Sequence, residues 1–128
     1  MGSGTIAKVD TVGIPSRNTE HSRRFYVDTL GLQPDPRSWN EFWVGDTCFA
    51  IWEPERFGAE FQPQKNGIAL LRVDDVAAAR RELEAKGVEF DGDTLDTGVC
   101  HMATFSDPDG NQLVLHRRYA PFSDGTRP

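Results

Sequence analysis

Near the C-terminal end of the chain, FSDPDGNQLVLH, residues Phe105 to His116, joins turn chemistry to a residue that can move a proton. Asp107 can cap the turn with its side chain, Pro108 presets φ near −65°, and Gly110 closes it without a Cβ penalty. Leu113, Val114 and Leu115 then form a short apolar run, and VCHMATF before the turn is equally strand-compatible, so the segment reads as a β-hairpin. A four-residue loop from Asp107 to Gly110 pairs Ser106 with Asn111, hence Ala103 with Val114 and His101 with His116. Two facing neutral imidazoles can serve as acid or base near pH 7; a strand histidine is otherwise a hydrogen-bonded structural residue. Arg72 shares a strand face with Ile68 and Leu70. It would offer a guanidinium fork to a carboxylate or enolate oxygen, or pair with an acid at the rim. His21, beside Arg23 and Arg24, reads as a solvated residue.

A second concentration of chemistry is aromatic. If Val44-Gly45-Asp46-Thr47 is a tight turn, Trp43 pairs with Cys48 and Trp39 with Trp52. All three tryptophans of the protein then share one face with Ala50. That face is either ordinary core or an aromatic wall for a flat or apolar ligand. The chain carries no nucleophile-base-orienter set, no Gly-rich phosphate loop and no nucleic-acid motif.

The elements that must position these residues repeat. TVGIP is a strand candidate, followed by a helix over NTEHSRRFYVDTLG with Asn18 or Thr19 as N-cap, Phe25 and Leu30 as apolar marks, and Gly31 as the stop. The second half gives strand IALLRV, a cap at Asp74 or Asp75, helix VAAARRELEAKG ending at Gly87, and strand VEF. Each half ends in a hairpin, NEFWVGDTCFAIWE or VCHMATFSDPDGNQLVLH. The order is a tandem β-α-β-β-β duplication in one α+β domain over residues 1–128. Module one is expected over about 6–55, a linker over 56–65, module two over 66–118 and a loose tail over 119–128.

In this arrangement, RFYVDTLGL resembles the helix-end motif of the first module of the vicinal oxygen chelate superfamily, and DPDGNQLVL the last hairpin of its second. That superfamily includes glyoxalase I, extradiol dioxygenases, fosfomycin-resistance enzymes and bleomycin-binding proteins. The resemblance covers roughly Ala7 to Tyr119. It implies a curved, cup-shaped mixed sheet of eight strands with the helices outside and, in the metal enzymes, a divalent ion held by His, Glu or Gln inside the cup. The corresponding positions here are Thr11, Ala50, Ile68 or Gly67, and Val114. A hydroxyl, aliphatic groups and a glycine cannot supply the imidazole and carboxylate donors such metals need, so no metal and no other cofactor is expected. Because Ala50 stands where an inward ligand would, the resemblance also turns the tryptophan face and both histidines into the cup.

At 128 residues, with 38% hydrophobic and 27% charged residues, the chain can bury a core without a staple. A net charge of −6 argues against nucleic acid or an anionic membrane as main partner, and no apolar run approaches the ~20 residues of a membrane span. Cys48 and Cys100, the only cysteines, form no CxxC pair, and no secretory leader is read, which fits a cytoplasmic protein with free thiols. Open sheet edges and the resemblance favour a homodimer. The expected function is binding of a small aromatic or hydrophobic molecule without metal, with Thr11, Trp39, Trp43, Ala50, Trp52, Ile68, Leu70, Ala103 and Val114 as lining. The alternatives are a metal-independent lyase- or isomerase-type enzyme using His101, His116 and Arg72, or a divalent-metal enzyme with an atypical ligand set.

Overall fold

The computed structural model describes residues 4–67 and 69–128. The chain divides into two compact units, Met1–Phe61 and Gln62–Pro128. Both are α+β with the order strand, helix, three strands, as the duplication requires.

In the first unit, strand β1 (Thr11–Pro15) leads to helix α1 (Thr19–Arg24), then β2 (Gln33–Asp35), β3 (Ser38–Val44) and β4 (Thr47–Trp52). The sheet order is β1-β4-β3-β2, with β1 parallel to β4 and the other pairs antiparallel. Asn18 is the N-cap, its side chain accepting the His21 N–H at 3.0 Å. From Phe25 to Thr29 the helix widens to a π turn, in which the Leu30 N–H reaches the Phe25 carbonyl at 3.0 Å. A uniform α-helix marked by Phe25 and Leu30 is thereby corrected: the buried residue of the wide turn is Tyr26, stacked on Phe42 at 6.1 Å. Ile14, Phe42, Phe49 and Ile51 complete this core.

The helix start is also tied from outside. Thr19 donates its backbone N–H and its hydroxyl to Glu53 Oε2, both at 2.9 Å, and Arg56 Nε donates to Oε1 at 2.8 Å. The Thr19 backbone N–H above all, then Arg56 and the Thr19 hydroxyl, lower the Glu53 carboxyl from 4.5 to about 2. A depressed folded-state pKa contributes stability that is fully present above 4.5 and is lost as pH falls toward 2. We therefore expect Glu53→Gln to destabilise the protein at neutral pH by about 1–2 kcal/mol, a range kept small because solvent screens the exposed Arg56. The gap to wild type in chemical denaturation should close on acidification; a gap of the same size at both ends of that range would refute the assignment.

The second unit contains β5 (Ala69–Arg72), α2 (Val76–Ala85), β6 (Phe90–Asp96), β7 (Cys100–Ser106) and β8 (Gln112–Arg118), in sheet order β5-β8-β7-β6. Of the two capping candidates Asp75 is the N-cap, accepting the Ala78 N–H at 3.0 Å. Gly87, at φ 93°, ends α2; the Val88 N–H returns to the Leu83 carbonyl and that of Gly87 to Glu84, each at 3.0 Å. This closure corrects the second strand of the module. Val88 is drawn back under the helix and buried, so the strand begins at Phe90 rather than at Val88 and runs on to Asp96. One face of the sheet, with Ala103, Phe105, Leu113 and Leu115, packs beneath α2.

The hairpin β7–β8 departs from the sequence reading by one residue. Gly110 N–H bonds to the Asp107 carbonyl at 3.0 Å, as a type I turn requires. Gly110 itself sits at φ 87°, and Asp107 N–H reaches the Asn111 carbonyl at 2.9 Å. The result is a three-residue loop with a glycine bulge, not a four-residue loop. Ser106 therefore pairs with Gln112, Ala103 with Leu115, Met102 with His116 and His101 with Arg117. His101 does not pair with His116, nor Ala103 with Val114, and the two histidines lie on opposite faces of the sheet.

Candidate functional site

The first unit brings its sequence-predicted residues together. In the β3–β4 ladder Trp43 pairs with Cys48 and Glu41 with Ala50, and continuing that register sets Trp39 across from Trp52. On β1, Thr11 neighbours Cys48 and Gly13 neighbours Ala50. These residues occupy the sheet face turned away from α1, and Trp39, Trp43 and Trp52 are 52%, 42% and 38% exposed within the chain. They are thus not core, because Phe42, Phe49 and Ile51 on the other face already fill it.

The face has relief. Trp43, Cys48 and Thr11 form one row, Trp39 and Trp52 another, and between them the middle row is Glu41, Ala50 and Gly13. Two small residues beside bulky neighbours make a shallow trough closed at one end by a carboxylate. Gly13 lets the Trp52 indole lean over β1: a Cβ there would stand 3.3 Å from Trp52 Nε1, tighter than an ordinary contact, so the ring would have to give way by a few tenths of an ångström. Trp43 is held at the rim by its Nε1–H, which donates to Asp35 Oδ2 at 2.9 Å and keeps that carboxyl below its ordinary pKa. Cys48 Sγ donates to Glu41 Oε2 at 3.6 Å. Burial first, and then the charge of Glu41, push the thiol pKa up, so Cys48 is a protonated donor rather than a nucleophile. Beyond the Trp39–Trp52 end, Asn40, Glu53, Arg56 and Phe57 border a further hollow of about 270 Å³, with Trp52 and Phe57 rings 5.9 Å apart.

In the second unit, Leu70, Arg72, Val114 and His116 share the face turned away from α2, with Leu70 opposite Val114 and Arg72 opposite His116. Ala103 lies on the other face, 1% exposed in the core, and Ile68 lies outside the described residues. His101 is also on the α2 side, in an open cleft of about 510 Å³ bordered by Asp74, Val76, Thr94, Arg117 and Tyr119. Its Nε2 is 3.4 Å from Asp96 Oδ2, and Tyr119 donates its hydroxyl to Asp96 Oδ1 at 2.7 Å. Chiefly through that hydroxyl, the Asp96 carboxyl is lowered and the Tyr119 phenol raised. Sequence reasoning missed Glu41, although its place two residues from both Trp39 and Trp43 could have shown it. It also missed Asp96, which a strand ending at Phe90 leaves outside the sheet.

The donor chemistry at the positions where metal-binding relatives would carry ligands does not fit a divalent ion. Thr11, Ala50 and Val114 offer one hydroxyl and hydrocarbon, and among the described residues no group of three His, Cys, Asp or Glu is placed to hold a metal.

Residues 8–115 match the Glyoxalase/Bleomycin resistance protein/Dioxygenase superfamily, and the chain belongs to it. Among solved structures it is similar to a member of the same superfamily from Sphaerobacter thermophilus, at 28% identity and a TM-score of 0.72, covering 87% of this chain and 97% of that one. It is similar as well to TnmS3, an antibiotic binding protein from Streptomyces sp. CB03234, at 28% identity and a TM-score of 0.70, covering 90% of this chain and 98% of the other. A lactoylglutathione lyase from Agrobacterium tumefaciens, at 13% identity and a TM-score of 0.73, with 88% and 95% coverage, shares the fold. Among curated proteins nothing matches.

Proposed function

We propose that the protein binds a small aromatic or hydrophobic molecule in the trough on the first sheet, without a divalent metal. The observation that carries this reading is the placement of every tryptophan of the chain on one open sheet face around Ala50 and Gly13. Indoles exposed on a face that packs no helix are costly in water and gain most from an aromatic partner. The likeness to an antibiotic binding protein supports binding over turnover. The absence of imidazole and carboxylate at Thr11, Ala50 and Val114 supports the metal-free form. Free Cys48 and Cys100 support a reducing, cytoplasmic setting, and the open sheet edges support a homodimer. A proton-transfer alternative would use His101 in its cleft, or His116 with Arg72, but not both histidines at one centre.

Calorimetric titration with naphthylmethanol tests the reading. Wild type should bind it, Trp43→Ala and Trp52→Ala should each weaken binding about tenfold or more, and dialysis against EDTA should leave the affinity unchanged. Binding that is absent, or indifferent to both substitutions, would remove the trough as the site.

A further inference from the structure

Resting on the reading that the tryptophan face takes an aromatic molecule, we propose that this molecule carries a cationic nitrogen, and that Glu41 is the residue that selects it. Glu41 stands on β3 midway between Trp39 and Trp43, in the middle row with Ala50 and Gly13, so its carboxylate closes one end of the trough. It is half-buried, and among the described residues its one hydrogen-bond donor is the Cys48 thiol, a weak and neutral one. Among the described residues no cation pairs with it, whereas Glu20, Glu53 and Glu84 each have an arginine partner. Arg23, whose helix lies on the same unit, donates its Nε–H to the Trp39 carbonyl instead.

A partly desolvated carboxylate flanked by indoles, and lacking a counter-ion, favours one class of guest over the others. An ammonium group gains the Coulomb attraction of Glu41 and, at the same spot, the negative π faces of the tryptophans, while its aromatic frame covers the apolar floor at Ala50. A neutral guest of equal size gains only the floor and the rings. An anion is repelled by Glu41, by Asp35 at the rim beside Trp43, and by the net charge of −6.

Three probes of one ring system separate this inference from the reading it rests on: naphthylmethylammonium, naphthylmethanol and naphthylacetate, titrated by calorimetry at neutral pH. The cation should bind roughly tenfold tighter than the alcohol, and naphthylacetate should bind weakest. Glu41→Gln should abolish the roughly tenfold preference, so that the cation and the alcohol bind with equal affinity to that variant. Glu41→Lys should invert the order in favour of naphthylacetate, and circular dichroism should confirm the fold of both. Equal affinities for all three probes, with binding still lost in Trp52→Ala, would overturn the inference and keep the aromatic site. A cation preference that survives Glu41→Gln would overturn it as well. Failure of every probe to bind wild type would overturn both together.

Discussion

Asn111→Ala should be among the most damaging single substitutions in this protein, at a cost of about 3 kcal/mol. Asn111 is 1% exposed at the foot of the β7–β8 turn. Its Oδ1 accepts the Gln64 N–H at 2.8 Å, its Nδ2 donates to Asp107 Oδ2 at 2.8 Å, and its own N–H donates to Asp107 Oδ1 at 2.9 Å. Alanine keeps the last bond and deletes the first two. The Gln64 N–H then loses its acceptor, and the buried Asp107 carboxylate loses an amide donor. Removing one partner of a buried charged hydrogen bond costs more than the bond contributes, because the group left behind remains desolvated. Urea unfolding should show a lower midpoint with an unchanged slope. Pro108→Ala, at an exposed position of the same loop, serves as the control with a small effect. A loss below about 1 kcal/mol in Asn111→Ala would mean that the turn is not held by these contacts.

The largest expected effect on binding comes from filling the trough. Ala50→Phe places a ring on the floor between Glu41 and Gly13 while keeping the β3–β4 and β1–β4 ladders, since Ala50 faces away from the core and phenylalanine suits a strand. Naphthylmethanol would have to displace that ring or ride above it. A penalty of about 2–3 kcal/mol, typical of forcing atoms into occupied space, corresponds to a loss of roughly 30- to 150-fold in affinity. Thermal stability should stay near wild type. Retained affinity in a folded Ala50→Phe protein would show that the ligand does not lie on this face.

Where sequence reading succeeded, neighbouring residues carried the information. Val44-Gly45-Asp46-Thr47 reads as a two-residue turn, Gly45 sits at φ 59°, and the Trp43–Cys48 pairing follows from that turn alone. The N-caps Asn18 and Asp75 and the stops Gly31 and Gly87 are equally local. The duplicated order of strand and helix was therefore legible from spacing, and the superfamily from the resemblance that RFYVDTLGL and DPDGNQLVL carry. So was the shared face of the three tryptophans, because side-chain alternation in a strand depends on nothing but parity.

Other features depend on contacts that no local pattern specifies. The turn after Ser106 is written in Asp107, Pro108 and Gly110, yet those residues are compatible with either a three- or a four-residue loop. The difference is settled where Asn111 leaves the strand ladder to bond Gln64, 47 residues away in the chain. That single residue of register decides that His116 joins Arg72 on one face while His101 turns to Asp96 on the other. The length of β6 is likewise set by the helix closure that buries Val88, so the Asp96 carboxylate beside His101 could not be read from VEF. The sequence by itself determined the fold, the turns and the aromatic face, since each follows from backbone preferences of adjacent residues or from strand parity. Only the tertiary structure decided which polar groups meet, because register and helix closure are fixed by distant partners, and a shift of one residue reverses the face that every side chain presents.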